Sequence, residues 1–302
     1  MIEVQHLTKQ FGGRVALDDV TFEVGAGQVT AFLGPNGAGK TTTMRLILGL
    51  DKPSSGEALV DGRPFRSYTD PICRVGALLD TRFAHPRRTA FDHLMVVADT
   101  HGIPRARVFE VLEEVGLEAV AGERAGRFSL GMTQRLGIAA ALLGRPQSLI
   151  FDEPVNGLDI DGVRWFRELC RRCASDGVAV FLSSHLMSEV ELVADRVIVL
   201  GRGRVLEDAR LDDLRGQVTV VEVVTDHAGS FARALEQRGG TVEHVESRSF
   251  RLTGLSAAEV GAAAATEGIA LERLAEVPRS LEEIYRDLTE ETVEFRASAA
   301  VG

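Results

Sequence analysis

Hydrophobic and polar positions change texture three times along the chain. Through residue 33 apolar residues alternate with polar ones. Ile2-Glu3-Val4 and Val20-Thr21-Phe22-Glu23-Val24 carry the period-two pattern of short half-buried strands, with Gly12-Gly13 and Gly25-Ala26-Gly27 as turns. Val29-Thr30-Ala31-Phe32-Leu33 predicts a buried strand, and Thr43-Met44-Arg45-Leu46-Ile47-Leu48 a helix. Pro53-Ser54-Ser55-Gly56 reads as a turn, Ala58-Leu59-Val60-Asp61-Gly62 as a hairpin strand end, and Val75-Gly76-Ala77-Leu78-Leu79 as a strand ending at Asp80. From about 89 to 143 the period becomes helical, with Phe91, Leu94, Met95 and Ala98 on one face and Val108, Val111, Leu112 and Val115 on another.

Strands then return. Leu149-Ile150-Phe151 runs into Asp152-Glu153, Val178-Ala179-Val180-Phe181-Leu182 runs into Ser183-Ser184-His185, and the segments 196–200 and 204–206 form a hairpin around Gly201-Arg202-Gly203. Strands alternating with helices predict an α/β domain over 1–216: a mainly parallel sheet core with ligands at the carboxyl ends of its strands, an antiparallel N-terminal β part, and a helical insert at about 87–143.

From Gln217 the texture changes again. The segments 218–225, 241–246, 249–253 and 269–277 are strand-like, while 229–237, 257–266 and 281–288 are helical. The order β-α-β-β-α-β suggests a small C-terminal α+β module over 217–302, of ferredoxin-like type with an added helix. An irregular extension packed on the first domain is the alternative. Carboxylates outnumber arginines here, so the module is acidic.

At 302 residues the chain is long enough for about two domains. No apolar run reaches the ~18 residues that span a bilayer, and Met1-Ile2-Glu3-Val4 lacks the basic and apolar regions of a signal peptide. The expectation is a cytoplasmic protein unless a partner tethers it. A net charge of −10 argues against a general nucleic-acid binder. Of three cysteines, Cys170 and Cys173 form a C-x-x-C, but inside a helical pattern with no second ligand pair, which favours two ordinary helix residues over zinc or redox chemistry.

The chemistry concentrates in Gly34-Pro35-Asn36-Gly37-Ala38-Gly39-Lys40-Thr41-Thr42, between a strand and a helix. In that context backbone N–H groups close around phosphate oxygens at a helix N-terminus, where the dipole also favours negative charge. Glycines permit the close approach, Lys40 reaches the β/γ-phosphates, and the Thr41 hydroxyl ligates Mg²⁺. Asp152, at a strand end, fits a direct or outer-sphere Mg²⁺ ligand. Glu153 points elsewhere and could orient or deprotonate the attacking water. His185 ends the next strand on the same sheet edge, where it could hydrogen-bond the γ-phosphate. Phe11, beside the first turn, is either a core residue or a face on which a purine base stacks.

Phe128-Ser129-Leu130-Gly131-Met132-Thr133-Gln134-Arg135 lies between the helical insert and the Asp-Glu strand. It resembles the Leu-Ser-Gly-Gly-Gln signature of ABC-type ATPases, and residues 2–210 as a whole resemble their ATP-binding domain. The resemblance implies a P-loop NTPase fold of ABC type. It implies Asn156-Gly157-Leu158-Asp159 as the D-loop, with Asp159 its acidic residue, His185 as the H-loop and Phe11 as the adenine-stacking aromatic. Ser129, Leu130, Gly131 and Met132 then act on the ATP of another subunit, so the implied assembly is a homodimer sandwiching two ATP molecules with Mg²⁺.

The chain departs from the family pattern in three places. Leu130 replaces a signature glycine, Met132 replaces the glutamine, and Asp80 stands where the Q-loop glutamine belongs. Asp80 could still reach Mg²⁺ through water, but it cannot donate a hydrogen bond as an amide does. These features, with Ser280-Leu281-Glu282-Glu283-Ile284-Tyr285 near the C-terminus, are similar to the ATP-binding subunits of bacterial drug and peptide-antibiotic exporters of the bacitracin, lantibiotic and daunorubicin resistance type. The resemblance implies an ATP-hydrolysing motor subunit that powers a separately encoded integral-membrane permease at the inner face of the cell membrane. The helical insert and the loop around Asp80, with Arg82, Arg87 and Arg88 nearby, would receive the permease; a solvated face is the alternative reading of those arginines. A soluble ABC-type ATPase acting on ribosomes or DNA is the alternative, disfavoured by the single ATP-binding domain, the absence of a heptad run and the acidic balance.

Overall fold

The strand pattern at the N-terminus resolves into a long hairpin. In the computed structural model, which describes residues 1–80, 84–216 and 219–289, β1 (Ile2–Phe11) and β2 (Arg14–Val24) pair antiparallel around Gly12-Gly13, and β4 (Ser55–Val60) adds to the free side of β1, giving the order β2-β1-β4. Both hairpin strands are longer than the alternation predicts, and residues 58–60 end an edge strand rather than a hairpin. The physical reason is a set of register shifts between Val4 and Gln10. His6 and Asp19 adopt φ of 50° and 56°, their side chains meet at 2.8 Å, and the period-two pattern loses phase there.

The second sheet has six strands in the order β5-β6-β7-β3-β8-β9. These are β3 (Val29–Leu33), β5 (Val75–Leu78), β6 (Ser148–Phe151), β7 (Ala179–Ser183), β8 (Arg196–Gly201) and β9 (Arg204–Arg210). Neighbours from β5 to β8 run parallel, and β9 returns antiparallel on β8. Every residue of β3, β6 and β7 is buried, as parallel strands covered on both faces must be. Phe22 from the first sheet packs with Phe32 and Phe181 from the second, ring centroids 5.1–5.6 Å apart, at the centre of this core.

Helices connect the parallel strands. α1 (Lys40–Ile47) follows β3, α5 (Ile160–Ser175) follows β6, and α6 (Met187–Glu191) follows β7. Between β5 and β6 lie α2 (Ala90–Thr100), α3 (Arg105–Glu114) and α4 (Leu130–Leu142), the helical insert read from the change of period. Thr89, Ser129 and Asp159 cap α2, α4 and α5 by accepting hydrogen bonds from backbone N–H groups three residues on.

Met1–Arg210, with Leu288 and Thr289 at the end of the last helix, forms one compact unit and Leu211–Asp287 a second. The second begins with α7 (Leu211–Gly216) and continues as β10 (Thr219–Val224), α8 (Ala228–Glu236), β11 (Thr241–Glu246), β12 (Ser249–Thr253), α9 (Ala257–Glu267), β13 (Arg273–Pro278) and α10 (Leu281–Thr289). Its four strands form an antiparallel sheet in the order β11-β12-β10-β13. Val221, Val223, Phe250 and Leu252 meet Phe231 and Leu235 of α8 and Val260 and Ala264 of α9 in a core of its own.

Candidate nucleotide site

The loop from Gly34 to Gly39 links the buried β3 to the first turn of α1. Gly37 and Gly39 have φ of 82° and 111°, which side chains rarely adopt. A Cβ at Gly34 would stand 2.5 Å from the Leu200 carbonyl oxygen, and one at Gly39 2.5 Å from the Leu17 side chain. No side chain caps α1, so the N-terminal end of its dipole faces the loop's concavity. Lys40 is 7% exposed and donates to the Gly34 carbonyl at 2.6 Å. Burial pushes its ammonium pKa down, against the opposing pull of Glu153 and Asp152.

The carboxyl ends of β6 and β7 complete the site. Thr41 Oγ1 donates to Asp152 Oδ2 at 2.5 Å, and Ser183 Oγ donates to Asp152 Oδ1 at 2.5 Å. Ser183 Oγ also accepts the Glu153 N–H at 2.9 Å. The Glu153 backbone turns into the left-handed region, φ 50°, and its Oε2 lies 2.6 Å from His185 Nδ1. Thr41 and Asp152 thus present two hard oxygens side by side, the donor type of a small divalent cation. Glu153 and His185 form a hydrogen-bonded pair next to them.

An open cleft of about 670 Å³ collects Phe11, Pro35, Asn36, Gly37, Ala38, Gly39, Lys40, Thr41, Thr42, Asp152 and Glu153, together with Arg14, Val15, Ala16 and Arg202. Phe11 is half exposed, with the Lys9 ammonium 4.6 Å from its ring centroid. The cleft thus combines a half-exposed aromatic ring with a helix N-terminus and a buried lysine, chemistries suited to a base and to phosphate.

The remaining predicted residues lie elsewhere. Ser129, Leu130, Gly131 and Met132 open α4 and do not line the cleft, and neither does Asp159. The start of α4 packs instead against the turn at Gly157. A Cβ on Gly131 would come 2.8 Å from the Gly157 carbonyl oxygen, and one on Gly157 would clash with the Leu130 side chain. Asp80 is exposed two residues beyond β5, outside the cleft lining, while Arg87 and Arg88 are exposed before α2. Arg82 lies outside the described residues.

Sequence reasoning assigned no role to Ser183 or Gln134. Ser183 ends β7 level with Asp152, a relation that the strand register reveals. Gln134 is 1% exposed on α4, and its Nε2 donates to the carbonyls of Glu153 and Pro154, both at 3.2 Å.

Comparison with known proteins identifies the family. The family model described as ABC transporter matches residues 17–156. The bacitracin transport ATP-binding protein BcrA of Bacillus licheniformis is 40% identical over 218 residues, covering 71% of this chain and 71% of BcrA. The chain belongs to the ABC transporter ATP-binding family. This ABC-type ATPase is also 36% identical over 212 residues to the lantibiotic transport ATP-binding protein SrtF of Streptococcus pyogenes, covering 70% of this chain and 92% of SrtF. Among solved structures it superimposes on the ATP-binding subunit of an ABC transporter with a TM-score of 0.66 at 31% identity, covering 72% of this chain and 92% of that one. A dimeric, post-hydrolysis ATP-binding cassette bound to ADP and Pi matches with a TM-score of 0.64 at 25% identity, covering 70% and 99%. Residues 219–282 match a separate family described as a domain of unknown function (DUF8746).

Proposed function

We propose that this ABC ATPase is the motor of an exporter for antibiotics or other lipophilic compounds, working on a separately encoded membrane permease. Residues 1–216 serve as the ATP-binding domain and 217–302 as an accessory domain. The relatives named for bacitracin and lantibiotic transport support the export reading. No helix among the described residues is long and apolar enough to cross a membrane, which fits a subunit held at the inner membrane face by a partner. The helical insert and the Asp80 loop are its candidate docking surface.

The observation that carries the catalytic reading is the continuous set of contacts Thr41–Asp152–Ser183–Glu153–His185 beside the phosphate loop. In this reading Phe11 stacks the adenine, the N–H groups of residues 34–42 and the Lys40 ammonium hold the β/γ-phosphates, and Thr41 and Asp152 face Mg²⁺. No group of three or more His, Cys, Asp or Glu side chains fit for a metal occurs among the described residues. That sparse donor set suits Mg²⁺, which keeps waters and takes its other ligands from phosphate oxygens. When bound, the ion neutralises charge developing on the phosphates. Glu153 accepts a proton from the attacking water, and His185 holds the Glu153 carboxylate and senses the γ-phosphate.

Ser129, Gly131 and the start of α4, with Asp159 nearby, close on the ATP of a second copy. The decisive test is Glu153→Gln. It should retain ATP, lose at least ~10²-fold in hydrolysis and accumulate as an ATP-dependent dimer on size-exclusion chromatography. A variant that hydrolyses at the wild-type rate, or stays monomeric with ATP, overturns the assignment.

A further inference from the structure

Glu153 is held by its backbone as firmly as by its side chain. Its N–H is fixed by Ser183, and its carbonyl, with that of Pro154, accepts from the Gln134 amide. The residue between these anchors has a left-handed φ of 50°, a conformation a non-glycine residue keeps only when its surroundings impose it. Gln134 is 1% exposed, and its Oε1 has no hydrogen-bond partner among the described residues. Leaving a buried amide oxygen unpaired is unfavourable, so the side chain is oriented for the sake of the two bonds its NH₂ donates. Among neutral side chains only an amide offers two N–H donors from one nitrogen to two neighbouring carbonyls.

Gln134 sits on α4, the helix that Ser129 caps and whose first turn carries Gly131. A helix is stiff over one and a half turns, so a displacement of its N-terminus moves Gln134 with it. We infer that Gln134 is a positioning residue that ties the placement of Glu153 to the placement of the signature end of α4. The inference rests on the dimer reading above. There the signature of one copy engages the nucleotide of the second copy, whereas Glu153 acts on the nucleotide of its own chain. Gln134 therefore makes hydrolysis at one site depend on occupancy of the other.

The test uses the full chain with two variants of similar volume. Gln134→Met removes both donors, and Gln134→Glu turns a carboxylate toward the two carbonyls. Both should bind ATP within about twofold of wild type, with KM nearly unchanged, while kcat falls at least tenfold and the Hill coefficient for ATP drops toward 1. A kcat within twofold of wild type with an unchanged Hill coefficient overturns the inference. So does a loss of affinity that accounts for the whole loss of rate.

Should neither variant fold, mixed dimers decide. Wild-type protein paired with a Ser129→Arg copy has one intact site, whose Glu153 lies in the copy with the blocked signature. That dimer should show well under half the wild-type activity, and a full half overturns the inference. Glu153→Gln in the same assay separates the two readings. If it is inactive while the Gln134 variants behave as wild type, only the Gln134 inference fails. If it is active, the Glu153 assignment fails first.

Discussion

Lys40 Nζ donates to the Gly34 and Pro35 carbonyls of its own loop, at 2.6 and 3.4 Å. Its burial lowers the ammonium pKa, so the charge is kept in place by those carbonyls and by Asp152 and Glu153. A phosphate entering the loop replaces neutral acceptors with a charged one. A hydrogen bond to a charged group contributes about 1.5–3 kcal/mol, so Lys40→Ala should weaken ATP binding by roughly 10- to 10²-fold, read by titration with a fluorescent ATP analogue. Unchanged affinity would remove Lys40 from the phosphate site. At this scale the sequence was informative where motif spacing constrains chemistry, as for Lys40, Thr41, Asp152 and Glu153. It was silent on Ser183 and Gln134, because a serine at a strand end and a glutamine in a helix carry no distinctive signal until the fold sets them against Asp152 and the Glu153 carbonyl.

Elements in the second unit were read within one or two residues of their bounds wherever the period was clean, as for β11, β12 and α9. The strand expected over 269–277 begins only at Arg273, because the preceding residues leave α9 through Gly268, at φ 65°. The bulged β1 and β2 were read too short for the phase reason given above. Two helices of this unit start with reciprocal bonds between a serine and a glutamate three residues on, Ser256 with Glu259 and Ser280 with Glu283. The Ser256 N–H and hydroxyl hold the Glu259 carboxyl below its ordinary pKa. At Glu283, burial pushes the pKa up, but Ser280 and Arg251 outweigh it and the net direction is down.

A carboxyl depressed in the folded state stabilises above its unfolded pKa, and that stabilisation is lost as pH falls through the folded value. The thermal midpoint of this unit should therefore stay level from pH 7 to about 5 and decline below about 4.3, the ordinary Glu value. Glu283→Gln should make that decline shallower, as followed by circular dichroism. A midpoint that rises on acidification would contradict the sign.

For the molecule as a whole, the residues proposed to act on nucleotide fall into two groups that do not share a cleft. Phe11, the phosphate loop, Asp152 and Glu153 form one, and the start of α4 with the Gly157 turn forms the other. If each group finishes the other's site in a second copy, activity is limited by encounter. Specific ATPase activity of the isolated protein should then rise with its concentration before levelling, whereas a flat profile would mean that one chain holds a complete site.

The strand order has a further effect, on the time at which the phosphate loop becomes usable during synthesis. β3, which carries the loop, pairs only with β7 and β8, and those begin at Ala179 and Arg196. A ribosome that has just released Lys40 has made the loop but none of its sheet partners. The site closes by long-range pairing, which is slow and comes late. A growing chain therefore has no competent phosphate cradle until β8 has emerged, and nucleotide selects for the finished domain rather than guiding its early folding.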